Sequence, residues 1–139
     1  MFVVFGIFYF IKSLEVKFHH PVIKIGALLP VGRDEFKKIS KYKFYILLVD
    51  KDDVFPKKYS RPLEEVITQK IGGLIERADS SGLIFTEIFG LNREKNKGIF
   101  SMILITDRNA RIVGIYPNKK LSELVDVLQL HPHLIDLSL

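Results

Sequence analysis

The chain has 139 residues, 47% hydrophobic and 27% charged, with 21 basic residues against 16 acidic ones for a formal charge of +5. That balance fits one globular domain with a real core and excludes a disordered polyelectrolyte. Cysteine is absent, which excludes structural disulfides, thiolate metal sites and thiol nucleophiles.

In chain order, the first feature is Phe2 to Ile11, ten apolar residues without a charge. As a helix it would span about 15 Å, roughly half a bilayer core. It lacks the basic start and small-residue cleavage site of a secretory signal. Three readings stay open: a short membrane anchor, a buried strand built from Phe, Val, Ile and Tyr, or an interfacial segment. Residues 1–14 are therefore set apart from a single domain over residues 15–139.

A strand is expected around Val22–Ile25, started by Pro21. "GRDEFKKISKY" reads as a short helix capped by Asp34, with Phe36 and Ile39 on one face. "KFYILLVD", Lys43 to Asp50, is a compact apolar run between polar residues, as expected of a central strand buried on both faces. "KDDVFPKKYSRP" follows as a loop. From Leu63 to Ala78, apolar residues recur at helical spacing, with Ser60 and Pro62 at the start. The Gly72-Gly73 pair inside that helix would cost about 1 kcal/mol per glycine against alanine.

Leu83–Phe85 reads as a short strand and Thr86–Gly90 as a turn of helix. Two strands follow between Phe100 and Tyr116, joined through Arg108-Asn109-Ala110, where Asn109 suits a left-handed conformation. Leu121, Leu124, Val125 and Leu128 line a last helix. The order strand, helix, strand, helix, strand, strand, helix makes the first two strands parallel and the last two a hairpin.

At the residue level, "YKFYILLVDKDD", the long helix, "EIFGL" and "GIFSMILITDRNARIVGIYP" resemble the redoxin branch of the thioredoxin-like superfamily. Membrane-anchored TlpA-type proteins are the nearest comparison, over about residues 22 to 128. The resemblance implies an α/β fold of βαβαββα order, with a central mixed sheet flanked by helices. It also implies a reactive Cys-x-x-Cys centre between the first strand and first helix. The corresponding stretch here is "LPVGRDEF", with Leu29 and Gly32 where the cysteines would stand. Ser101 or Phe100 stands where the family has a cis-proline. Leucine and glycine supply no thiolate, so the expectation is a redox-inactive domain and no enzyme. Its degenerate centre, Leu29, Pro30, Val31, Gly32, Arg33 and Ser101, would serve as a binding surface for a protein partner. Membrane association through Phe2–Ile11 is expected, with the extracytoplasmic side favoured.

No cofactor is expected. His19-His20 and His131-Pro132-His133 with Asp136 are candidate ligands, but adjacent histidines on a strand point apart, and surface histidines are the simpler reading. Asp50, Asp52 and Asp53 read as a polar strand end and turn rather than a cation site. The basic pairs Lys37-Lys38, Lys57-Lys58 and Lys119-Lys120 are scattered, so no nucleic-acid partner is expected. An alternative comes from "ILITDRNARIVGIYPNKKLSELVDVL", which is similar to half of a CBS ligand-sensing module. Tyr116-Pro117-Asn118 replaces that family's ribose-binding residues.

Overall fold

The structure is a computed structural model and describes residues 23–51, 55, 61–91 and 94–134. Phe2–Ile11, His19, His20, Asp52, Asp53 and Asp136 lie outside the described residues.

A four-stranded mixed sheet forms the centre, with strands β1 (Phe44–Asp50), β2 (Gly73–Arg77), β3 (Ser101–Asp107) and β4 (Ile112–Pro117). The spatial order is β2-β1-β3-β4. β1 runs parallel to β2 and antiparallel to β3, and β4 runs antiparallel to β3. All seven residues of β1 are buried, as its uninterrupted apolar run requires.

Alternation along the strands splits the core into two layers. Phe44, Ile46, Leu48, Ile75, Ile103 and Ile105 pack on one face against α2 and α4. Here α2 is α-helical over Arg61–Glu64 and π-helical over Glu65–Lys70, and α4 is a 3-10 turn, Leu121–Glu123, running into Leu124–Leu128. Tyr45, Leu47, Val49, Leu74, Met102 and Leu104 form the other layer. Ile39 of α1 (Arg33–Ile39) and Ile88 of α3 (Leu83–Phe85 continuing through Thr86–Leu91) join them there.

Four expectations are corrected. Residues 23–25 form no strand; the chain first meets the sheet at the Leu28–Arg111 bridge. The helix expected over Leu63–Ala78 ends at Lys70, and Gly73–Arg77 is strand β2. Gly72 makes the break at φ 75°, a backbone region that favours glycine. Gly73 is needed for space, because a Cβ there would overlap the Phe44 ring. Leu83–Phe85 is helical rather than extended. Asp34 lies inside the first turn of α1, whose N-cap is Gly32.

The hairpin forms where expected, but Ala110 and not Asn109 takes the left-handed conformation, at φ 61°. Asp107 organises that turn: its Oδ1 accepts from the N–H groups of Asn109 and Arg111 at 2.9 and 3.0 Å. Beyond it, backbone bonds from Gly26 to Ile112 and from Leu29 to Ala110 lay residues 26–29 along the edge of β4. In α4, Leu124, Val127 and Leu128 are buried while Val125 is exposed.

Candidate functional site

β1 and β2 are parallel and end side by side, the place where open α/β sheets most often hold ligands. Alternation sends their last residues to opposite faces. Asp50 and Arg77 fall on the α2/α4 face, and Glu76 falls on the α1/α3 face.

On the first face, the Asp50 side chain is almost fully buried and forms an ion pair with Arg77 at 2.8 Å. Its second oxygen accepts from the Phe55 N–H at 2.8 Å, and the Arg77 guanidinium also donates to the Phe55 carbonyl at 3.1 Å. This triangle holds the Phe55 ring in the core, where it is 1% exposed. Of the acidic run that follows β1, Asp50 is thus a structural strand end. Beside it in register lies Ser101, whose hydroxyl is buried and has no hydrogen-bond partner among the described residues. Asn118, at φ 58°, accepts from the Phe100 N–H and donates to the Gly98 carbonyl, at 2.8 and 2.9 Å. It is spent on holding the start of β3, which does not favour a ligand-binding role at Tyr116-Pro117-Asn118.

On the second face, the segment before α1 and the start of α3 stand apart over the sheet. Between them is a cavity of about 340 Å³. Val31, Tyr45, Leu47 and Ile84 give it an apolar lining, and Glu35, Glu76 and Asp79 bring carboxylates to it. Glu76 is ion-paired with Lys38 of α1 and accepts a hydrogen bond from the Tyr45 hydroxyl at 3.0 Å. Burial alone would raise the Glu76 carboxyl, but hydrogen bonds from Lys38, Glu35 and Tyr45 outweigh it and hold it below the usual range. Glu35 moves the other way, pushed up first by the hydrogen bond it shares with Glu76 and then by burial. The two carboxyls therefore have unequal hold on a proton, with Glu35 keeping it longer.

The residues expected to form one degenerate centre are not gathered in one place. Leu29 is buried at the hairpin end of β3, bonded to Ala110, while Ser101 begins that strand at its other end. The six residue steps of β3 from Ser101 to Asp107 separate them by about 20 Å at ~3.4 Å per step. Pro30 and Val31 line the cavity, and Gly32 and Arg33 are exposed at the start of α1. Glu35, Tyr45 and Glu76 escaped the sequence reading because they come from three elements whose packing no local pattern encodes.

His131 is buried, and its Nε2 lies 2.6 Å from the Tyr116 hydroxyl, with the His133 ring 6.0 Å away. Among the described residues, no group of three or more His, Cys, Asp or Glu is placed to hold a metal ion. No helix of the described residues is long and apolar enough to cross a membrane. No family model matches the chain, and no curated protein or solved structure matches it.

Proposed function

We propose that this chain is a thioredoxin-like domain without thiol redox chemistry, acting as a binding or scaffold module for a protein partner. The observation that supports this reading is the sheet: order β2-β1-β3-β4, with β3 antiparallel to the other three strands. A βαβ crossover followed by a hairpin and a helix gives that order. The stretches that carry the resemblance correspond to β1, to the end of α3 and to the β3–β4 hairpin.

On this reading the counterpart of the reactive centre follows β1. It lies in the sequence after Asp50, and not at Leu29–Gly32, which precedes the first sheet strand. The revised position is as free of cysteine as the first one, so the redox-silent character is unchanged. Tethering to the extracytoplasmic side of a membrane through Phe2–Ile11 completes the proposal. Burial of those side chains in lipid would contribute more than about 10 kcal/mol.

The test has two arms. The full chain is expected to leave insulin disulfides and peroxide untouched and to float with phosphatidylcholine vesicles, and a chain starting at Glu15 is expected to stay soluble and folded. Redox turnover above a buffer blank refutes the silent reading. A soluble full chain, paired with a destabilised truncation, refutes the tether. Thermal stabilisation by adenine nucleotides would favour the sensing alternative instead.

A further inference from the structure

We propose that the groove between α1 and α3 is the seat of this chain's own apolar segment, Phe2–Ile11, whenever no bilayer is present. Attachment to a membrane is then a transfer of that segment from groove to lipid. The inference rests on the tether in the proposed function and adds where the segment goes when it is off the membrane.

Phe2–Ile11 is ten apolar residues without a charge. Left in water, the segment would exceed the apolar patch that a soluble monomer tolerates, so it needs shelter. Its hold on lipid is that of a short anchor. As a helix of about 15 Å it reaches half of a bilayer core, and a single small anchor binds a membrane reversibly. A second shelter on the protein therefore competes with the bilayer on comparable terms. The described chain begins at Ile23, and Ile23 packs against the core layer of the α1/α3 face. The segment is thus tied to that face of the sheet. On the same face lies the cavity of about 340 Å³, with Leu47 as its floor and Val31 and Ile84 in its walls. Leu83 stands on its rim as a large apolar side chain that is 53% exposed. The distance is within reach. Residues 26–29 run outside β4 and the cavity lies over β1 and β2, about three strand spacings or 15 Å away. Residues 12–22 connect Ile11 to Ile23, and twelve residue steps at ~3.3 Å reach about 40 Å. The cavity lies at the lower end of small-molecule volumes, so it takes the side chains of one face of the segment and Leu83 extends the contact along the rim. A seat for part of the segment keeps the rest ready to leave for lipid.

The chain has no cysteine, so Gly6→Cys carries a single nitroxide label in the middle of the segment. Nuclear magnetic resonance of the full chain in detergent-free buffer reads where that label lies. The methyl signals of Val31, Leu47 and Ile84 are expected to broaden more than those of Val113 and Val127 on the opposite face. Phosphatidylcholine bicelles are expected to abolish that preference as the segment moves into lipid. Leu83→Glu puts a charge on the rim at an exposed position, so the domain stays folded while the seat is spoiled. If the segment is seated about four-fifths of the time, this variant binds phosphatidylcholine vesicles about fivefold more tightly, because the segment no longer has to leave the groove first. A folded chain that floats with vesicles but shows no preferential broadening of the cavity methyls overturns the seat and leaves the tether standing. Preferential broadening without vesicle binding refutes the tether, and with it the transfer. Aggregation without lipid or detergent, broadening that comes only from a labelled neighbouring copy in a mixed sample, or vesicle affinity unmoved by Leu83→Glu would each overturn the proposal as well.

Discussion

Replacing Arg77 by Met removes the guanidinium from Asp50 and the Phe55 carbonyl while keeping the aliphatic stem. Asp50 is then left almost fully buried, with the Phe55 N–H as its one remaining donor among the described residues. Breaking a buried pair from one side costs about 3–5 kcal/mol. The Arg77 side chain is 23% exposed, so water can reach part of the site, and about 2–4 kcal/mol is the expected loss. Against a total stability of about 5–15 kcal/mol that is a large share. Asp50→Asn keeps an acceptor for Phe55 and discards the charge. The double variant Asp50→Asn/Arg77→Met should therefore be more stable than the sum of the two losses implies, by about 1–3 kcal/mol. Urea unfolding followed by circular dichroism measures all four chains, since there is no tryptophan to report by fluorescence. A loss below about 0.5 kcal/mol for Arg77→Met, or additivity within about 0.5 kcal/mol, would refute the view that this pair closes the carboxyl end of the sheet.

Two further outcomes follow from the packing. Gly73→Ala puts a Cβ into the Phe44 ring, so a melting curve should show a loss of about 1–3 kcal/mol; an unchanged midpoint would mean that the ring has somewhere else to go. Burial and the neighbouring His133 hold the His131 imidazole below its ordinary value of 6.5, so the unfolded chain takes up the proton first. Its contribution to stability is complete above about pH 7 and is lost as pH falls from about 6.5 towards the lower folded value, by at most about 1.4 kcal/mol per pH unit. His131→Gln should flatten that part of the melting profile, and a profile that keeps its slope contradicts the assignment.

The sequence was most legible where one residue pattern admits one structure. Lys43 to Asp50 is too short and too apolar for a surface helix, and β1 follows it almost to the residue. The hairpin was legible because two apolar runs flank a polar turn, although Asp107 rather than Asn109 shapes it. Ile71 to Ala78 was misread for a physical reason. Ile71, Leu74, Ile75 and Ala78 satisfy helical spacing, and a strand with helices on both faces also buries neighbouring apolar residues. The glycine pair was the discriminating signal: Gly72 adopts a turn conformation that breaks the helix. That single misreading carried Arg77 and Glu76 onto an imagined helix surface. It hid both the partner of Asp50 and one wall of the cavity. The early strand expected at Val22–Ile25 likewise set Leu29–Gly32 directly after a sheet strand, whereas in the structure those residues precede β1, the first strand of the sheet.

The way the two margins of the sheet are treated bears on how the protein avoids pairing with itself. A strand margin with free N–H and C=O groups is a template for another chain. On the β4 side, the backbone of residues 26–29 occupies the template beside Ala110 and Ile112. On the β2 side, the strand is five residues long and ends in Glu76 and Arg77, so a second copy arriving there would meet few ladder positions and two charges. Among the described residues, the most aggregation-prone segments, the continuous apolar runs of β1 and β3, are thereby kept between guarded neighbours. A chain that concentrates so much β-forming hydrophobicity in its two inner strands can then stand at high local density without its sheets joining end to end.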